Sequence, residues 1–426
     1  MSEPSQPHGR ARLIPVIRTQ SELRVVCLDD MLPDDHRARL LWAFTERLDL
    51  TESLSRIRST EGSAGRPSWD PRVLLALWLY ATSQGIGSAR RVSQLCESDV
   101  GYRWLCGDQA PNHHALSDFR SLGGGQLDKL MCQLLTGLVS NHILTLRRVS
   151  QDGVKVRANA GAGSFRRKST LLDLESRVKQ QIESLKQEID QDPHGSNKRE
   201  QAARVRALKE REDRVARALK AVDEVQETIG RYHSPERRKR EARASTTDPD
   251  ARVMHMADNG FRPAANIQFA TDTETRLVVG VETSNGGSDT GRMDSMLDHV
   301  QVQTSIRPQQ ILVDGGYSSR SDVQAVSEKG TAVVAPLPKH VKVKDPHVPR
   351  KGDTLEIAAW RLRMARDDIQ EVYRERASTS ETVHADMRRH RGLIQLPVRG
   401  LDKIQSIALL MALTYNALRV ITMGWM

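Results

Sequence analysis

Apolar residues recur at helical spacing from about residue 36 to 140, with polar residues filling the other faces. Asp70-Pro71 offers a cap followed by an N1 proline. The run Val73-Leu-Leu-Ala-Leu-Trp-Leu-Tyr80 behind it is apolar on every side, so the helix it forms is expected to be buried. Gly85-Ile-Gly87-Ser88 reads as a turn, and Ser88 to Glu97 as a helix carrying Arg90 and Arg91. Pro111 to Arg120, with His113 and His114, begins a further short helix. Two arrangements fit this stretch: a helix-turn-helix assembly that lays a helix in a DNA major groove, or a small all-helical unit that only packs.

From Ile143 the pattern changes to alternation. Leu144 to Gln151 reads as a strand ending at Asp152, with Val154 to Ala158 continuing it or pairing with it. Asn266 to Ala270 and Arg276 to Thr283 form a hairpin around Asp272-Thr-Glu-Thr. Gln310 to Val313 is a short buried strand before Asp314-Gly-Gly, and Thr331 to Ala335 another, with helices near 290–305 and 319–328 between them. This order resembles a ribonuclease H-like core, an α/β fold with a mixed sheet flanked by helices. The expected organisation is an N-terminal arm over 1–35, an all-helical, DNA-binding domain over 36–140, and a core from 141–160 and 245–426. The core is interrupted by a helical basic insertion over 161–244.

The insertion has its own period. Leu171, Leu174, Val178, Ile182, Leu185 and Ile189 fall three and four apart; after Asp192-Pro-His-Gly195 the spacing returns with Val205, Leu208, Val215, Leu219, Val222 and Ile229. Two such runs around a Pro/Gly turn predict an antiparallel helical hairpin. Between Lys198 and Arg243 stand 15 Lys or Arg against 9 Asp or Glu, and the tail contains Arg237-Arg238-Lys239-Arg240. A DNA-clamping arm, a dimer contact and a merely solvated coiled coil all suit that surplus.

The whole chain of 426 residues holds 64 Lys plus Arg against 54 Asp plus Glu, a net charge of +10, which points towards a polyanionic partner. Cys27, Cys96, Cys106 and Cys132 do not fall at metal-ligand spacing and read as free thiols of a reducing compartment. The stretch MSEPSQPHGRARLIP lacks an apolar signal core. Val73 to Ala81 is too short to span a membrane, and the apolar C-terminal stretch is interrupted by Thr414, Tyr415 and Asn416. A cytoplasmic, nucleoid-associated protein without a membrane partner is expected.

Three carboxylates stand out as candidate chemistry: Asp152, Asp314 and Glu381. Delivered by two strand ends and a late helix, they supply the hard oxygen ligands of a two-metal phosphoryl-transfer site. Each also has an ordinary alternative. Asp-Gly sequences make turns, and Ser378-Thr-Ser-Glu381 has the spacing of a capping box. Glu381, His384 and Arg388 fall at i, i+3 and i+7 on one helix face, a combination suited to a metal ligand beside groups that hold a phosphate backbone.

The motifs resemble those of bacterial insertion-sequence DDE transposases. Tyr373, Arg376, Glu381 and Arg388 match that group's Tyr–Arg–Glu–Lys signature, in the branch with four residues between Arg and Glu. The helix continues into Arg391-Gly392, then Val398-Arg-Gly-Leu-Asp-Lys403 and Leu413-Thr-Tyr-Asn-Ala-Leu418. Asp70-Pro-Arg-Val-Leu-Leu with Phe119-Arg120, Thr247-Asp-Pro-Asp-Ala-Arg252, and Ala265-Asn-Ile-Gln268 are similar to earlier parts of the family. The resemblance implies a catalytic triad of Asp152, Asp314 and Glu381 holding two Mg²⁺ ions, with Mn²⁺ as an alternative. It implies that transposon ends (terminal inverted repeats) are cut and their 3′-hydroxyls joined to target DNA by a homodimer or larger assembly on double-stranded DNA. The residues expected to contact DNA are Tyr373, Arg376, His384 and Arg388 at the site, Arg237, Arg238, Lys239 and Arg240 in the insertion, and Arg90, Arg91 and Arg120 in the helical domain. The sequence departs from the family in having His384 and Ala385 where phenylalanine or glycine is usual, and a planar arginine fork at 388 where lysine is usual. A decayed or domesticated DNA-binding relative, and a Mg²⁺ nuclease on the same fold, are the alternatives.

Overall fold

The structure, a computed structural model, describes residues 19, 21, 25–57, 59, 62, 67–121, 124–191, 198–231, 234–338 and 345–425. Most of the expected N-terminal arm and the Asp192–Gly195 turn lie outside the described residues.

Seven helices come first: α1 (Arg37–Glu46), α2 (Thr51–Ser55), α3 (Pro71–Ser83), α4 (Ala89–Ser98), α5 (Val100–Leu105), α6 (His113–Arg120) and α7 (Gly124–Ser140). Their starts follow from side chains that satisfy otherwise orphaned amides. Asp70 accepts from Arg72 N–H, Ser88 from Arg91 N–H, and Asn112 from Ala115 N–H. In α3 every residue from Leu74 to Ser83 is buried, as its all-round apolarity requires.

The sheet comes next. β1 (Arg148–Arg157) is followed by β2 (Phe165–Arg167), α8 (Lys168–Gln191), α9 (Lys198–Gly230), α10 (Pro235–Arg238) and β3 (Arg243–Ser245). The remainder comprises β4 (Arg252–His255), β5 (Phe261–Asp272), β6 (Val278–Ser284), α11 (Met293–Thr304), β7 (Gln310–Leu312), α12 (Arg320–Glu328), β8 (Ala332–Val334), α13 (Leu355–Met364), α14 (Asp367–Arg389) and α15 (Leu401–Thr422). Among the described residues β6, β5, β1, β7 and β8 lie side by side, and β4 extends the β6 edge of β5. β6, β5 and β1 pair antiparallel, while β1, β7 and β8 pair parallel. The expected hairpin is β5–β6; its turn is held by Asp272, whose Oδ2 accepts from Thr275 N–H and Oγ, each at 2.8 Å.

Two expectations change. β1 does not end at Asp152 but runs five residues further, so Asp152 sits mid-strand opposite Phe269 and Gly153 opposite Gln268. Gly153 is therefore not a turn former. Asn266, Gln268 and Asp289 fill the space beside it, and a Cβ there would lie 2.7 Å from Asp289 Oδ1. The second change concerns Glu381. Its helix begins at Asp367, which puts Ser378 deep inside α14, where its hydroxyl donates to Glu375 O, and removes the capping box.

One hydrophobic core joins α1, α3 to α7, β1, β5, β6 and α15. α15 packs on α3, α7 and β6. It has the length and hydropathy of a membrane span, contrary to the expectation from sequence, yet 78 % of the window is buried inside the protein. Its polar interruption has a structural reason. Asn416 is fully buried, and its amide accepts from Val278 N–H at 2.9 Å and donates to Val278 O at 2.7 Å, satisfying the backbone of β6. A second core forms from β7, β8, α12, α13 and the start of α14 around Tyr317 and Trp360.

The insertion is a helical hairpin standing on the two-stranded β2–β3 ribbon. Leu171 packs with Ala218, Ala221 and Val222 near its base, while Arg204 pairs with Glu188 at 3.2 Å further along, so α8 and α9 run antiparallel.

Candidate active site

Helix α14 lies across β1 in a register fixed by side-chain pairs. Arg148 pairs with Glu375 at 2.8 Å and Ser150 Oγ meets Ser380 Oγ at 2.7 Å. Asp152 continues the series: its Oδ2 lies 3.7 Å from Arg376 and 3.8 Å from His384 Nδ1. Arg148 of the strand thus meets position 375 of the helix, Ser150 meets 380, and Asp152 lies between 376 and 384.

Asp152 is 23 % exposed and its carboxyl is pushed up to about 6. Burial is the main cause. The neighbouring charge of Asp314 adds to it, against the opposing pull of Arg376. Asp314 stands two residues beyond β7, whose three residues pair in parallel with Arg148 to Ser150 of β1. The fold therefore brings both aspartates to neighbouring strands. In each, one oxygen is tied to a following amide: Gly153 N–H to Asp152 Oδ1 at 2.9 Å, and Gly316 N–H to Asp314 Oδ1 at 2.7 Å. The other oxygen of each has no hydrogen-bond donor among the described residues.

Glu381 is not brought into direct contact with them. It is exposed, forms no hydrogen bond or ion pair among the described residues, and lies one helical turn before His384 on the face expected. No group of three His, Cys, Asp or Glu side chains is gathered closely enough to hold a metal ion among the described residues. The second oxygen of each aspartate does fit a divalent cation: both are hard donors on partly buried carboxylates, and the charge of Asp314 adds to the cost of ionising Asp152 in its absence.

Three of the residues expected to contact DNA have close partners within the protein. His384 is half-buried against Phe269, its centroid 5.9 Å away, and desolvation with the charges of Arg388 and Arg376 depresses its pKa to about 4. It faces Asp152 as a neutral imidazole. Arg376 is committed to Asp152, with Tyr373 5.9 Å from its guanidinium carbon. Arg120 is only 8 % exposed, stacks 4.7 Å over Trp78 and donates to Gly87 O. Arg388 is exposed in the last turn of α14, Arg90 and Arg91 are exposed on α4, and Arg237 to Arg240 are exposed in and after α10. His113 and His114 stack on each other at 4.1 Å at the start of α6.

The sequence also hid a polar network on the other face of β1. Asp289 Oδ1 accepts from Asn266 at 2.8 Å and Gln268 at 2.7 Å, while the Gln268 carbonyl oxygen accepts from Gln151 and from the buried Tyr317 hydroxyl. Burial and the charges of Asp289, Asp152 and Asp314 push the Tyr317 hydroxyl up, which keeps it a donor.

The family model described as Transposase domain (DUF772) matches residues 26–122, and the one described as Transposase DDE domain matches 241–417. The chain belongs to the insertion-sequence DDE transposases. Asp314 and Glu381 fall within the second match, while Asp152 and the helical hairpin lie in the stretch between the two. No curated protein and no solved structure matches the chain. Members of this transposase family act on DNA and typically use a divalent metal.

Proposed function

We propose that this transposase cuts transposon ends and joins the released 3′-hydroxyls to target DNA at a ribonuclease H-like centre built on Asp152, Asp314 and Glu381. The observation that carries the reading is the pair of aspartates in β1 and just beyond its parallel neighbour β7, each with one oxygen anchored by a following amide and the other without a hydrogen-bond donor among the described residues. The order β6-β5-β1-β7-β8, antiparallel then parallel, supports the fold assignment. Asp152, Asp314 and, from the rim of α14, Glu381 would hold two Mg²⁺ ions, which when bound neutralise charge on the attacking and leaving oxygens.

The chain's own groups prepare that site. Arg376 offsets the charge of Asp152, and neutral His384 packs against it without repelling a metal. Arg388 and Tyr373 flank the helix where a DNA strand would pass. The arginines of α4 and the basic tail of the hairpin offer backbone contacts. The enzyme works on DNA ends as a dimer or larger assembly.

The test uses full-length protein, Mg²⁺ and a labelled duplex carrying the element's terminal repeat. Asp152→Asn, Asp314→Asn and Glu381→Gln should each lower cleavage at least about a thousandfold while end binding is retained. Undiminished nicking by the Asp152→Asn or Asp314→Asn protein would overturn the centre; undiminished nicking by Glu381→Gln would remove only the third carboxylate. Cleavage without joining of the 3′-hydroxyl would make the protein a nuclease.

A further inference from the structure

Arg120 leads to a second charged feature. It forms one wall of a cleft of about 280 Å³ where the end of α6 meets the start of α15. Ser117, Arg120 and Ser121 line one side, Asn159 the floor of the chain after β1, and Arg399 and Lys403 the other side; no carboxylate is among the lining residues.

The arginine is more than nine-tenths buried, and its Nε has no hydrogen-bond partner. It has no ion pair among the described residues; its only neighbours of note are the Trp78 ring and Gly87 O. A buried guanidinium without a counter-ion is costly unless an anion joins it. The other two cations are equally uncommitted to acids in contact. Arg399 Nε donates to the Asn159 carbonyl at 3.2 Å, and the Lys403 ammonium has no hydrogen-bond or ion-pair partner among the described residues. Two carboxylates stand behind the cleft: Asp248, which feels the charge of Arg399, accepts from Gly400 N–H at 3.2 Å, and Asp250 accepts from Leu401 N–H at 3.0 Å at the start of α15. Three cations, two hydroxyls and an amide line the cleft, and no carboxylate does.

We propose that this cleft binds a backbone phosphodiester of duplex DNA. The choice of DNA over a small anion rests on the family's DNA-acting character and on the exposed position of Arg399 and Lys403. It also rests on reach. Asn159 follows Asp152 by seven residues, so the two lie at most about 25 Å apart along the extended chain. At about 3.4 Å per base pair that is within one turn of a duplex whose reacting phosphate sits at the aspartates. No hydrogen bond or ion pair links the cleft residues to Asp152 or Asp314, so the cleft positions DNA and takes no part in bond breaking.

The test compares full-length wild type with Lys403→Gln and with Arg399→Gln/Lys403→Gln, both changes being on exposed side chains. Fluorescence anisotropy with a random-sequence duplex should show the double variant binding at least about tenfold more weakly. Its slope of log affinity against log salt should be smaller by about 0.9 for each phosphate no longer neutralised. Thermal denaturation with inorganic phosphate separates the anion sources. Unchanged duplex affinity and slope overturn the proposal, and if phosphate still stabilises wild type but not the double variant, the cleft is a small-anion site. Cleavage by the Asp152→Asn protein tests the catalytic reading separately, so either reading can fail alone.

Discussion

Burial and the charge of Asp314 hold the Asp152 carboxyl at about 6, against 3.8 for an ordinary aspartate. Because the folded value is raised, the ionised form is disfavoured in the fold. Stability from this group is full below the unfolded value and is lost as pH rises from about 4 through about 6, a loss of about 3 kcal/mol. In metal-free buffer the Asp152→Asn protein should therefore denature at a higher temperature than wild type at pH 7.5, and the gap should close at pH 4. Mg²⁺ should narrow the gap at pH 7.5 by stabilising wild type alone; a gap independent of pH and metal would contradict the site's electrostatics. Gly153 makes a second residue-scale prediction. The Cβ of Gly153→Ala would press on Asp289 at 2.7 Å and on the Gln268 amide, costing about 1–3 kcal/mol in urea denaturation. Neither effect could be read from the sequence, where Asp-Gly looks like a turn. Only the pairing of β1 with β5 reveals which side chains fill the space that glycine leaves.

At the scale of elements, what was legible followed from local chemistry. Asp70-Pro71 marked the start of α3, Asp272 marked the β5–β6 turn, and the three-and-four spacing marked α8 and α9. What stayed hidden depended on partners far apart in sequence. The beginning of α14 was hidden because Arg366 gives no side-chain cap, and the β2–β3 ribbon because Phe165-Arg-Arg and Arg243-Ala-Ser lack the apolar run that marks β7 and β8. Gly392 shows the same dependence. Its φ is +73°, and a Cβ would stand 2.9 Å from Gly85 O, where the chain leaving α14 touches the turn between α3 and α4. Gly392→Ala should cost at least about 2 kcal/mol, from the left-handed backbone together with the clash, and the loss should appear as a lower denaturant midpoint. The hairpin's basic tail gives a contrasting case. Lys239 and Arg240 are exposed, with no side-chain ion pair among the described residues. Replacing Arg237, Arg238, Lys239 and Arg240 by glutamine should weaken specific and random duplexes alike and flatten the salt dependence. An unchanged slope with loss of dimerisation would assign the hairpin to protein contact.

For the whole molecule, the decisive feature is that the N-terminal helices and the sheet share one core through α15. The sequence suggested a helical unit over 36–140 that could be studied by itself; in the structure its apolar faces are covered by α15 and α11. A 1–140 fragment should therefore remain partly unfolded, with weak near-ultraviolet dichroism and strong binding of a hydrophobic dye, and footprinting of terminal repeats belongs on the full chain. The same geometry sets a timetable during synthesis. Residue 140 leaves the ribosome's active centre 261 residues before residue 401, where α15 begins. At about 5–20 residues per second, that is roughly 13–50 s in which α3 and α7 must wait with uncovered apolar surface. A polypeptide released early lacks the helix that unites the molecule, so interrupted translation yields chains that chaperones and proteases recognise rather than partial enzymes loose among DNA.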